Sequence, residues 1–133
     1  MFPRRAFMTR TPFVEKSHPP DSRRWLVAEL DNLTSIIVRK RDRQCVTCGK
    51  RQGLQCSHFY SRRYLAIRFD LRNCNAMCGV CNKRHNHDPL PYLLYMQSNY
   101  GAKVVAELQA LKMSSHKVTE DELREMLELY RSI

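Results

Sequence analysis

Long apolar runs are missing from this chain. No stretch approaches the roughly 20 residues that a membrane-spanning helix needs. The basic residues near the N-terminus have no apolar run behind them, so a secretory signal is not expected and a cytoplasmic location is. No segment repeats. The third scarcity is local. Between Arg39 and Arg84 the acidic residues are Asp42 and Asp70 alone, against 12 of the chain's 23 Lys and Arg residues. The formal net charge of +10 therefore sits entirely on that stretch, and the remainder balances to zero. A merely solvated surface spreads its charge. A concentration of this kind suits a polyanion, which points to nucleic acid.

The same stretch carries the cysteines. There are six, and in a reducing compartment they read as metal ligands, not as a disulfide framework. Cys45-Val46-Thr47-Cys48 and Cys78-Gly79-Val80-Cys81 are two CxxC pairs. One tetrahedral zinc ion takes four soft ligands, and each CxxC turn supplies two. Cys45, Cys48, Cys78 and Cys81 are thus the expected structural zinc ligands. Cys56 and Cys74 are left over, either as small buried side chains near the zinc or as substitutes within its shell. A chain of 133 residues supports one domain with a modest core, and a metal staple relaxes the demand on that core.

Residues 1–20 hold Pro3, Pro12, Pro19 and Pro20 and are expected to form a flexible basic arm. Residues 21–133 are expected to form one domain, with a zinc core at 41–88 and a helical part at 89–133. Asp21 or Ser22 can cap a helix running to Lys40, whose apolar positions Trp25 to Ile37 recur at helical spacing. Leu54 to Phe59 alternates like a short strand, and Tyr64 to Phe69 is a second β-prone run. Asp70 to Met77 reads as a loop. A helix should start near Cys78 and stop by Asp88, before Pro89 and Pro91. Helices are expected over Pro91–Tyr100, which Gly101 ends, and over Lys103–Leu111. Thr119-Glu120-Asp121-Glu122 is a capping box that opens an amphipathic last helix. The fold class is α+β, mostly helical.

Strand, loop and helix around a CxxC pair, with His on the strand and Asn ahead of the helix, resemble the HNH (ββα-metal, treble-clef-like) nucleases. The match is tighter with one family. Cys45-Val46-Thr47-Cys48-Gly49, Cys56-Ser57-His58-Phe59-Tyr60-Ser61-Arg62, Arg68-Phe69-Asp70, Asn73-Cys74, Cys78-x-x-Cys81-Asn82 and Tyr100-Gly101 look like the phage NinG/Rap recombination proteins. The resemblance runs from near Leu30 to Tyr130. It implies a zinc-containing, structure-specific DNA endonuclease encoded by a bacteriophage. Such an enzyme acts on branched recombination intermediates in the bacterial cytoplasm, and symmetric cutting of a four-way junction favours a homodimer.

Phosphodiester hydrolysis needs a base for water and a Lewis acid on the phosphate. The resemblance makes His58 the general base, Asn73 the residue that ties the loop and orients that base, and Asn82 the third member of the pattern. An amide oxygen can ligate Mg2+ or Mn2+, and His85, one helical turn after Asn82, is a further candidate ligand. Relatives often carry a metal-binding Asp or His where this chain has Ser57. Arg62, Arg63, Lys83 and Arg84 are expected to hold DNA phosphates. The alternatives are a zinc-stabilised DNA-binding module without catalysis, and a small zinc protein that docks on a partner protein. The charge concentration disfavours the second.

Overall fold

Ser22 starts the first helix. Its hydroxyl accepts the Trp25 backbone N–H at 3.1 Å and so satisfies a donor that a helix N-terminus leaves orphaned. This helix, α1, spans Arg23–Asp42 and carries Arg39, Lys40 and Arg41 in its last turn, where the helix dipole favours cations. The computed structural model describes residues 18–133, so most of the arm expected over 1–20 lies outside the described residues. After α1 come β1 (Leu54–His58), α2 (Leu65–Arg68), β2 (Cys74–Cys78), α3 (Gly79–Arg84), α4 (Leu90–Asn99), α5 (Ala102–Met113) and α6 (Glu120–Arg131). Among the described residues this is a mostly helical α+β chain with one two-stranded antiparallel sheet. No helix there is long and apolar enough to cross a membrane.

The chain divides into two compact units. One consists of the described residues up to Leu33 together with Val118–Ile133. It buries Trp25, Leu26, Leu30 and Leu33 of α1 and Leu123, Leu127 and Tyr130 of α6. The capping box forms as the sequence predicts: Thr119 Oγ1 accepts the Glu122 N–H at 3.1 Å, and the Glu122 carboxylate accepts the Thr119 N–H at 3.0 Å.

The other unit, Thr34–Lys117, holds the sheet. In its register Leu54 faces Cys78, Cys56 faces Ala76 and His58 faces Cys74. The last turn of α1 is fastened to β2. Asp42 Oδ2 accepts the Ala76 N–H at 2.8 Å, and Arg41 donates to the carbonyls of Leu71 and Cys74 at 2.8 and 2.9 Å. Gly101, at φ +94°, makes the break between α4 and α5, a conformation that side-chain-bearing residues rarely adopt.

The second strand corrects the sequence reading. It is Cys74–Cys78, within the stretch read as a loop, whereas the β-prone run Tyr64–Phe69 folds into the one-turn helix α2. A run of six residues is too short for its periodicity to choose between strand and helix. Asp70 settles where the loop ends: its carbonyl accepts from the N–H groups of Asn73 and Cys74, and its carboxylate from the Arg72 N–H. β2 is then buried at every position, which erases the alternation that would mark it as a strand. The buried amide of Asn75 is fully used. It donates to the Arg72 carbonyl and the Tyr92 hydroxyl and accepts from Arg41 and the Tyr100 hydroxyl.

Candidate functional site

The first CxxC pair forms a tight knuckle ahead of β1. The Cys45 N–H donates to the Lys50 carbonyl at 2.7 Å and the Gly49 N–H to the Cys45 carbonyl at 2.8 Å, with Gly49 at φ +82°. The second pair spans the end of β2 and the start of α3. Cys78 is the residue that caps α3, and Cys81 lies within its first turn. The four sulfurs all lie within 4.8 Å of one another. Cys48 and Cys78 are 3.7 Å apart. A tetrahedron built on zinc–sulfur bonds of about 2.3 Å has an edge of about 3.8 Å, so the set is already at the size of a zinc cage. Cys45, Cys78 and Cys81 are buried, and Cys48 is exposed.

The acidities of these thiols diverge. Burial opposes ionisation of Cys45. The Thr47 hydroxyl, at 3.3 Å, and the N–H groups of Cys78 and Cys48 outweigh it and bring the thiol down to about 6. Cys48 goes up to about 11. The Lys50 N–H favours its thiolate, but hydrogen bonding with the neighbouring sulfurs of Cys45, Cys78 and Cys81 holds it as a thiol. Crowded sulfurs share protons until a cation replaces them, which is the chemistry of a thiolate metal site.

His58 ends β1. Its Nε2 lies 3.0 Å from the Arg68 carbonyl, which can only accept, so Nε2 carries a proton. Asn73, fully buried, accepts the Tyr60 N–H at 2.9 Å and donates to the carbonyls of Tyr60 and Ile67 at 3.0 and 3.3 Å. It ties the connection between the strands to the end of β1.

Alternation along β1 sends Cys56 and His58 to the face shared with Cys74 and Ala76, where Val38 of α1 packs. Gln55 and Ser57 point to the other face. The sulfurs of Cys56 and Cys74 and a ring nitrogen of His58 also lie within 4.8 Å of one another. The sequence leaves these two cysteines either as packing residues or as substitutes within the four-cysteine shell. The i, i+2 spacing of Cys56 and His58 was the signal that they share a face.

Asn82 lies on the opposite side from that group. Its amide donates to Gln55 Oε1 at 2.9 Å. Beside it is a cleft of about 520 Å³ lined by Gln55, Gly79, Val80, Asn82, Lys83 and Asn86. His85 is half-buried. Its Nε2 donates to the Phe59 carbonyl at 2.8 Å, and its ring stacks on Phe59 at 5.7 Å between centroids and meets Tyr92 edge-on. Its Nδ1 and the Ser57 hydroxyl oxygen are both buried without a hydrogen-bond partner. The structure thus groups Asn82 with Gln55, and His58 with Cys56 and Cys74. Arg62 and Arg63 are exposed in the strand connection, and Lys83 and Arg84 in the last turn of α3.

Fold and site together define a small, mostly helical α+β protein whose converging thiols could hold a metal ion such as zinc. This chain belongs to the NinG family: the family model described as Bacteriophage Lambda NinG protein matches residues 15–133. It is similar to Protein ninG of Escherichia phage 933W, with 26% identity over 114 residues, covering 82% of this chain and 56% of that protein. Protein ninG of Salmonella phage P22 is 28% identical over 100 residues, covering 71% of this chain and 47% of the relative. For Protein ninG of Escherichia phage lambda the figures are 26% over 107 residues, 77% and 52%. The chain spans about half the length of these relatives. No solved structure matches.

Proposed function

We propose that this NinG-family chain is a metal-dependent endonuclease that hydrolyses phosphodiester bonds in branched recombination DNA inside the phage's host. In this reading β1, β2 and α3 form a ββα-metal module of the HNH type, held by structural zinc on Cys45, Cys48, Cys78 and Cys81. The single observation that carries it is the way the end of β1 is held. Asn73 pins the loop, and the Arg68 carbonyl holds the His58 ring through its Nε2–H. A neutral imidazole takes a proton from water near pH 7, because its unperturbed pKa is about 6.5. The basic residues Arg62, Arg63, Lys83 and Arg84 supply the phosphate contacts that bring DNA to it.

A divalent ion of the Mg2+ or Mn2+ class, when bound, polarises the scissile phosphate. Among the described residues the His, Cys, Asp and Glu side chains converge in two sulfur-rich groups, and no such group is built of carboxylates. The hard oxygen on offer is the Asn82 amide, so water and the DNA phosphate itself must complete the shell, as is common for Mg2+.

A second reading rests on a specific observation. Asn82 bonds Gln55, while His58 lies on the other face of β1. That separation favours a zinc-stabilised DNA-binding module without catalysis. A panel of four-way junction, flap, D-loop and linear DNA, each with Mg2+ or Mn2+, separates the two. Cleavage of branched substrates establishes the endonuclease. Binding with no cleavage in either metal establishes the module.

A further inference from the structure

We propose that the chain holds a second thiophilic metal site, made by Cys56, His58 and Cys74 and separate from the four-cysteine cage. Three observations carry it. The three candidate ligand atoms lie within 4.8 Å of one another on one face of the sheet. Strand register sets this. His58 and Cys74 are directly opposed across the register, and Cys56 is two residues before His58 on the same side.

The imidazole already carries the kind of hydrogen bond that a ligand histidine carries. Metal-bound histidines almost always donate their second ring N–H to a carbonyl or carboxylate. Here His58 Nε2 donates to the Arg68 carbonyl at 3.0 Å. The same carbonyl accepts the Cys74 S–H at 3.2 Å, so one backbone oxygen positions two of the three ligands.

The charge balance also suits the place. A zinc ion with two thiolates and a neutral imidazole has no net charge, whereas four thiolates leave the other cage at −2. A neutral centre is the form that tolerates a face packed against Val38, Ala76 and Leu71. Three protein ligands leave one position open, the composition of an exchangeable zinc site, so this ion should bind more weakly than the first. The ion is of the soft class: Zn2+ or Co2+, not Mg2+ or Ca2+. Binding replaces the thiol protons of Cys56 and Cys74, which leave as two protons to buffer. An ion bound here would occupy the His58 nitrogen that the cleavage reading uses as the base, so a chain loaded at this site would not cut by that route.

Cobalt titration of the full chain, reduced and metal-free, is the test. The first equivalent should fill the four-sulfur cage. A second should add sulfur-to-cobalt charge-transfer absorbance, taking the total to about 1.5-fold the first, in proportion to six cobalt–sulfur bonds against four. With zinc, elemental analysis should give two ions per wild-type chain and one per Cys56→Ser/Cys74→Ser chain. Charge-transfer absorbance that stops growing at one equivalent in the wild-type protein would overturn the proposal, and so would a second zinc retained by the double variant. The wild-type titration decides the matter even if the variant fails to fold. None of these readouts involves DNA, so failure here and failure of the cleavage reading are separate results.

Discussion

Asn73 grips Tyr60 by both of its backbone groups, accepting its N–H at 2.9 Å and donating to its carbonyl at 3.0 Å. A third bond reaches the Ile67 carbonyl. Removing the amide strands buried backbone groups as well as losing the bonds. Asn73→Ala should therefore destabilise the zinc-loaded protein by about 2–4 kcal/mol. Urea unfolding followed by circular dichroism measures this. A change below about 0.5 kcal/mol, the size expected of an ordinary surface substitution, would show that the loop holds its shape by other means.

The sheet has two strands, and an isolated hairpin of that size is marginal in water. The four-cysteine cage would clamp the knuckle ahead of β1 to the end of β2, so metal loss should unfold the unit and not merely loosen it. Chelation, or Cys78→Ser, should abolish the cooperative thermal transition. A soluble chain that melts cooperatively with no bound zinc contradicts a structural role.

Charge reversal at Arg62, Arg63, Lys83 and Arg84 should weaken binding to every DNA sequence alike, because phosphate contacts carry no sequence information. For the wild-type protein the logarithm of affinity should fall linearly with the logarithm of salt. A flat salt dependence in fluorescence anisotropy would move the DNA site elsewhere.

Cleavage tests the two readings of His58 and Asn82 directly. Loss of a general base costs roughly a hundred- to ten-thousand-fold in rate. His58→Ala should lose that much in single-turnover cutting of a four-way junction while DNA affinity and the four-sulfur metal are kept. Asn82→Ala should slow cutting and raise the Mg2+ concentration it requires. A His58→Ala protein that cuts at the wild-type rate removes this residue from the chemistry.

Much of the helical frame was legible because its signals are local. Ser22 capping α1, the Thr119 and Glu122 box and the Gly101 break each depend on residues within one turn, and each is where the sequence puts it. The cysteine quartet was legible for the same reason, since each CxxC is a local unit. β2 was not. Asn73 just before it and Asn75 within it, both buried, look like turn formers until Tyr60, Tyr92 and Tyr100 supply their partners from 13 to 25 residues away. The grouping of His58 with Cys56 and Cys74 was hidden likewise, because it exists only once Cys74 is known to be a strand residue facing His58.

One sulfur of the quartet, Cys48, faces water while the other three lie beneath the surface. The cage therefore has a front door. A chelator, an oxidant or a metal-accepting protein meets Cys48 first, and ligand exchange proceeds through it before the buried sulfurs are reached. Zinc transfer should then be second order, its rate rising with acceptor concentration, instead of being limited by spontaneous opening of the fold. An ion held by this quartet would in that sense be tradeable while the fold still stands.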